Sequence, residues 1–336
     1  MGVKAYYYSD ASAPVLTGED GALVNVLKKC LINGYGAKTP PGSGWTGSFN
    51  AGVTKGTFRP QLGTRCSLWM DDHGSATGTF RWARVRGVES YDSLDGNGDL
   101  VNPSALFPTV EQKATPPNFY KSYTADNTGR AWAVFADEYC FYLFTWPAAT
   151  YEAVVYFFGD VVPFKSDDAF HCFLAANAVA ETASPIAGGY NYHGGQLTGA
   201  ALGAASWNTP CTGAYFARDY DQIGKSYSAA FASLGLVFGS TGYPGAGGPI
   251  YPNGADNALV TVPGYLTTIN PTAANSVLRG VLPGWSNPLH SGTSLANFIT
   301  ISGLSGMAGR TYQWIKLQAA ASVVSAVVMD ITGPWR

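Results

Sequence analysis

Charged side chains are scarce in this chain. Lys, Arg, Asp and Glu make up 12% of its 336 residues, about half the usual share near 25%. Twenty basic against 22 acidic residues leave a net charge of −2, with no block of five or more basic residues. That balance gives no support for a nucleic-acid partner. Histidine is scarcer still: His73, His171, His193 and His290. No HxxxH, HExxH or Cys/His cluster occurs, so the ligand spacing of a zinc site is missing. Cys30, Cys66, Cys140, Cys172 and Cys211 form no CxxC pair and are odd in number. Most sit in apolar runs, which predicts buried free thiols made in a reducing cytoplasm. No apolar run approaches the ~18 residues of a membrane span. The closest, residues 317–331, is broken by Gln318, Ser322, Ser325 and Asp330. The first residues, Met-Gly-Val-Lys-Ala-Tyr-Tyr-Tyr, lack the apolar core of a secretion signal. The expectation is a chain with no membrane partner and no cofactor.

Catalytic constellations are missing too. There is no Gly-x-Ser-x-Gly elbow. His171 and Cys172 are neighbours in a predicted strand, where successive side chains point to opposite faces, so they are not a catalytic pair. Asp71-Asp72 and Asp167-Asp168 are adjacent acids. A glycosidase needs two carboxyls facing each other across a substrate, so these read as solvated turn residues. The segment from Gly34 to Thr39 ends like a phosphate-binding loop, but Ala37 precedes Lys38 where Gly is required, and the helix lies before it. The one small-ligand pattern is Ser93-x-Asp95-x-Asn97-Gly98, which matches the start of a calcium loop. Position twelve is Ser104 rather than the expected bidentate Glu, so a turn is the better reading. An enzyme is not expected.

What the chain does have is aromatics, 14% of residues, with 41 Gly and 20 Pro. An aromatic-rich chain of low charge fits a subunit covered by neighbours, although an ordinary β-protein also uses Gly in turns and aromatics in its core. One helix is well signalled, over residues 17–31. Thr17 is the expected N-cap, with Asp20 three residues on as in a capping box. Leu23, Val24, Val26, Leu27, Cys30 and Leu31 form the apolar stripe. Lys28 and Lys29 suit the last turn and should point outward, and Gly34 and Gly36 follow as stop signals.

Strand candidates then dominate: 4–9, 44–50, 54–59, 65–71, 79–90, a hairpin over 130–146 with Asp137-Glu138 at its turn, 151–158 and 169–175. In 79–90, Phe80, Trp82, Arg84 and Arg86 are placed on one face, an aromatic and arginine combination expected at a contact surface. From Asn177 to Gly213 the chain turns rich in Ala, Gly, Ser and Thr. Further strands are predicted at 258–262, 297–302, 311–317 and 322–331. Residues 241–257 form a Gly/Pro loop whose Tyr243 and Tyr251 are candidate interface residues. The fold class expected is mainly β: two β-sandwich or barrel-like modules, 1–175 with the N-terminal helix and 176–336 with long Gly/Pro-rich loops.

Several segments together carry a family resemblance. They include the opening Lys4-Ala-Tyr-Tyr-Tyr-Ser-Asp-Ala-Ser-Ala-Pro14, Cys30-Leu-Ile-Asn-Gly-Tyr-Gly-Ala-Lys38, Arg84-Val-Arg-Gly-Val-Glu89, Phe157-Phe-Gly-Asp160, Leu278-Arg-Gly-Val-Leu-Pro-Gly-Trp285 and Asp330-Ile-Thr-Gly-Pro-Trp335. The chain resembles a family of structural proteins of tailed bacteriophages and prophages. The resemblance implies a virion component made in the host cytoplasm, without known chemistry and with no catalytic residue to carry over. The function expected is a tail or neck protein acting by symmetric assembly, as a homo-oligomer docked to other phage virion proteins. A receptor- or glycan-binding module on the particle surface is the alternative, since exposed Trp and Tyr suit sugar stacking. A depolymerase is the third and weakest reading.

Overall fold

A computed structural model describes residues 2–73, 76–77, 80–112, 114–148, 153–176, 214–218, 227–232, 261–268, 277–288, 295–302, 309–317 and 326–336. The described fold is mainly β, as the composition of the strands demands, with antiparallel sheets and one short helix. Among the described residues no helix is long and apolar enough to cross a membrane.

The hairpin Ala131–Ala136 and Cys140–Trp146 forms where expected, and Val154–Asp160 pairs on its open side. In these strands nearly every residue is buried, because both faces are covered. Trp132, Val134, Phe141, Leu143, Tyr156 and Phe158 face one apolar cluster. The alternate residues Ala133, Phe135, Tyr142, Phe144, Val155 and Phe157 face another. A strand between two cores reads as a continuous hydrophobic run, since each face of the period-2 pattern needs apolar side chains.

The first cluster lies under the helix and a six-stranded sheet built on Lys55–Phe58, Ser67–Asp71 and the long strand Phe80–Ser90. The second is closed by the C-terminal strands Val277–Pro288, Thr311–Lys316 and Ala326–Asp330, which supply Leu282, Trp285, Ile315, Val327 and Met329. The result is layered, with the hairpin wall in the middle.

The expected division at 176 falls between strands that pair. Cys172–Ala175 joins Ala214–Phe216 in the register Phe173↔Phe216, and the sheet continues through Tyr227–Ala232 and Thr261–Thr268 to the C-terminal strands. A second link runs from Val162–Pro163 to Val281 and Gly280. A single 13-stranded sheet therefore crosses both expected modules, and the second core draws side chains from both.

Val277–Pro288, at 12 residues the longest strand among the described residues, is not one of the expected strands, and it contains Gly280, Pro283 and Gly284. Such residues normally mark loops. Here Gly284 has φ +67, and a Cβ there would fall 2.1 Å from Trp335 Nε1. The glycine is the space into which the Trp335 indole packs.

The helix is shorter and later than its sequence signal: Ala22–Lys28, continued by a π-helical turn over Lys29–Asn33. Its apolar stripe is buried as predicted, with Leu23, Val24, Val26, Leu27, Cys30 and Leu31 in the first core. Thr17 does not cap it. The Thr17 hydroxyl instead accepts from Glu19 N at 3.2 Å, closing a preceding turn. The N-cap position is Gly21, at φ 75, and the helix receives its cap from far away in sequence. Asp72 Oδ2 accepts from Leu23 N at 2.8 Å. Asp72, expected in a solvated turn, is buried and paired with the equally buried Lys121. A carboxylate at a helix N-terminus meets both unpaired N–H groups and the positive end of the dipole.

Candidate functional site

The expected contact face on Phe80–Ser90 is turned inward. Trp82 is buried in the first core, edge-on to Tyr120 at 5.6 Å. Arg86 is buried as well, and donates to Pro108 O at 3.0 Å and Ala114 O at 2.9 Å. Arg84 is half-buried. The reason is position: the strand is flanked by Ser67–Asp71 on one edge and by Ser104–Phe107 and Asn118–Ser122 on the other. A central strand presents little to a partner, so Trp82 and Arg86 hold the chain together. Tyr243 and Tyr251 lie outside the described residues.

Ser93, Asp95 and Asn97 belong to a small hairpin, Ser93–Leu94 with Leu100–Val101. Asp95 Oδ1 accepts from Asn97 N at 2.8 Å and Asp99 N at 2.9 Å, while Gly98 takes φ 86. The carboxylate organises its own turn, the usual role of Asp before Gly. Among the described residues no group of three or more His, Cys, Asp or Glu side chains is placed to hold a metal ion.

A groove not anticipated from the sequence opens where the two ends of the long sheet meet. The sheet path begins at Lys4–Tyr7 and ends at Thr300–Ser302. Tyr7 Oη donates to Gln313 Oε1 at 2.9 Å, joining the first strand to the last hairpin. Beside this seam Tyr8, Trp146 and Phe298 line a cavity of about 470 Å³, together with Arg130, Thr128 and Asn297. Phe298 sits edge-to-face against Trp146 at 5.4 Å and against Tyr7 at 5.5 Å.

Phe298 has φ 61, a backbone conformation that bulky residues rarely adopt. Its neighbours enforce it. Phe298 N donates to Trp314 O at 2.9 Å, Gln313 Nε2 donates to Phe298 O, and Asn297 Oδ1 accepts from Lys316 N at 2.9 Å. Strain held in place by surrounding bonds is characteristic of positions that serve a ligand.

A second polar assembly lies inside the protein. Asp160, fully buried, accepts from Thr64 N at 2.7 Å and from the Thr64 hydroxyl, and lies 3.4 Å from His171 Nε2. His171 Nδ1 meets Asp168 O. Asp168 is also buried, and its Oδ2 is 2.7 Å from Arg279 Nη2. Asp167, by contrast, is exposed beside Lys165. The adjacent acids thus divide: Asp167 is the solvated turn residue expected, and Asp168 is not.

Burial works against a charged His171, but the hydrogen bond and charge of Asp160, with the Asp168 carbonyl, outweigh it and raise its pKa above the ordinary 6.5. A group whose pKa is raised by folding stabilises the fold fully below its unfolded value, and that stabilisation is lost as pH rises through the folded value. The melting-temperature advantage of the parent over His171→Gln should therefore be largest near pH 6 and shrink above the folded pKa. Thermal melts across pH 6–9 check this. An advantage that grows toward alkaline pH would contradict the assignment.

Sequence reading missed the groove because its residues are dispersed. Tyr8, Trp146 and Phe298 come from three distant segments, and none shows local patterning. The signal that could have found them is the aromatic excess at strand ends. No protein-family model matches this chain and a search of curated proteins returned no similar sequence, so its function is read from its own residues and their geometry.

Proposed function

We propose that this protein is a bacteriophage virion structural component of the tail or neck, acting by symmetric assembly and by docking to neighbouring virion proteins. The observation that carries the reading is a pair of exposed apolar side chains on adjacent segments, Phe164 just after Val162–Pro163 and Leu278 on Val277–Pro288. Phe164 is 54% exposed and Leu278 46% exposed. Phe164 stacks on Tyr265 at 6.1 Å, and its N–H donates to Arg279 O at 2.9 Å, which fixes it beside the Leu278 strand. Apolar side chains held rigidly at a surface are what an interface core requires, and low overall charge reduces the desolvation that association costs. The resemblance to phage structural proteins points the same way. Copies of this chain and other virion proteins are the partners under this reading, and the virion is its location.

The test is the state of association. Sedimentation velocity should show the parent protein as a symmetric oligomer. Phe164→Asp combined with Leu278→Asp should release monomers with an unchanged far-UV spectrum, since both side chains are already exposed. A parent that stays monomeric and binds no purified tail or neck particle would overturn the reading.

A further inference from the structure

We infer that the groove at Tyr8, Trp146 and Phe298 is a binding site for a neutral sugar ring, one unit of a polysaccharide or oligosaccharide. This goes beyond the assembly reading and does not rest on it, because the groove and the Phe164 and Leu278 pair use different residues.

The first argument is shape. Flat aromatic faces match the apolar C–H face of a pyranose, and an aromatic wall with a few polar atoms is the usual make-up of a small-ligand site. Trp146 and Phe298 are inclined at 63° to each other. The two rings therefore meet as adjoining walls of the groove and not as one flat plate. At about 470 Å³ the cavity lies within the range of ligand sites, roughly 300–1,000 Å³.

The second argument is charge. Among the described residues no carboxylate lines the groove, and the one formal charge is Arg130. That guanidinium donates to Ser122 Oγ at 2.9 Å and to the Thr124 hydroxyl, and lies 3.7 Å from Asp126. A balanced cation does not call for an anionic ligand. Arg130, with the Thr128 hydroxyl and the Asn297 amide, borders the aromatic surface with groups able to bond sugar hydroxyls.

The third argument is preorganisation. Phe298 is locked at φ 61 by bonds to both of its backbone polar groups, and its ring is wedged between Tyr7 and Trp146. A ring already in position loses little freedom on binding.

Affinity electrophoresis through gels containing dextran, galactan or soluble starch tests polymer binding. Titration of tryptophan fluorescence with maltose, lactose and chitotriose tests free oligosaccharides. Retardation without oligosaccharide binding would assign the site to a polymer surface, and binding of both to the sugar unit itself. Tyr8→Ala, at a 49% exposed position, should weaken binding about fivefold to tenfold, the share of one aromatic contact. Trp146→Phe should weaken it while preserving the fold. Binding unaffected by both substitutions, no binding to any of these neutral sugars, or equal retention on heparin would overturn the inference.

Discussion

Asp72→Ala should lower the unfolding free energy by about 3–5 kcal/mol, the usual consequence of breaking a buried ion pair from one side. Asp72 and Lys121 are both essentially inaccessible, with side-chain exposures of 0% and 1%. Removing the carboxylate leaves the Lys121 ammonium buried beside the Glu19 carbonyl to which it also donates. It also takes the acceptor from Leu23 N, at a helix whose own N-cap residue is a glycine. Loss of a cap typically adds about 1 kcal/mol. The double variant Asp72→Ala with Lys121→Met should recover much of the loss, because the unpaired charge is gone. What remains is the missing cap and the space left by the carboxylate. Urea denaturation of the four proteins completes the cycle. If Asp72→Ala and Lys121→Met simply add, the two groups are not coupled and the account of the helix start fails.

That pair also shows how far the sequence could be read. The helix stripe was legible because Leu23, Val24, Val26 and Leu27 recur at helical spacing, and a local period survives folding. Its start was not legible. Thr17 and Asp20 look like a cap, but the acceptor comes from Asp72, and a residue 49 positions away leaves no local trace. The adjacent acids misled for the same reason. Asp71-Asp72 and Asp167-Asp168 resemble turn residues in isolation, and only Lys121 and Arg279, brought in by other strands, make Asp72 and Asp168 part of the interior.

Strands with ordinary patterning were found, such as the 131–146 hairpin. The strand Val277–Pro288 was hidden by its glycines and prolines, whose roles depend on Trp335 and on the pairing with Val162–Pro163. The expected contact residues Trp82 and Arg86 were misplaced because alternation reports which side chains share a face, not what covers it. A central strand can carry arginine inward when backbone carbonyls, here Pro108 O and Ala114 O, wait for it. The division at 176 followed a real change in composition. Composition does not report hydrogen bonding between strands, and Cys172–Ala175 pairs across it.

Arg279→Met should cost about 3–5 kcal/mol as well, and it probes that division directly. Arg279 belongs to Val277–Pro288, whereas Asp168 lies in the segment before 176. Both side chains are 1% exposed. Arg279 Nε donates to Asp168 Oδ2 at 2.9 Å, Nη1 donates to Arg218 O at 3.0 Å, and the guanidinium lies 4.3 Å over the Phe216 ring. The substitution strands a buried carboxylate and removes a donor that ties three segments together. Arg279→Lys should recover only part of the loss, since an ammonium cannot reproduce the planar, multiply donating group. If the sheet is one cooperative unit, unfolding followed at the N-terminal helix and at Trp285 should shift together and by the same denaturant concentration. Two separated transitions, with only the later segment destabilised, would instead mean that the strands paired across 176 do not make the halves stand or fall together.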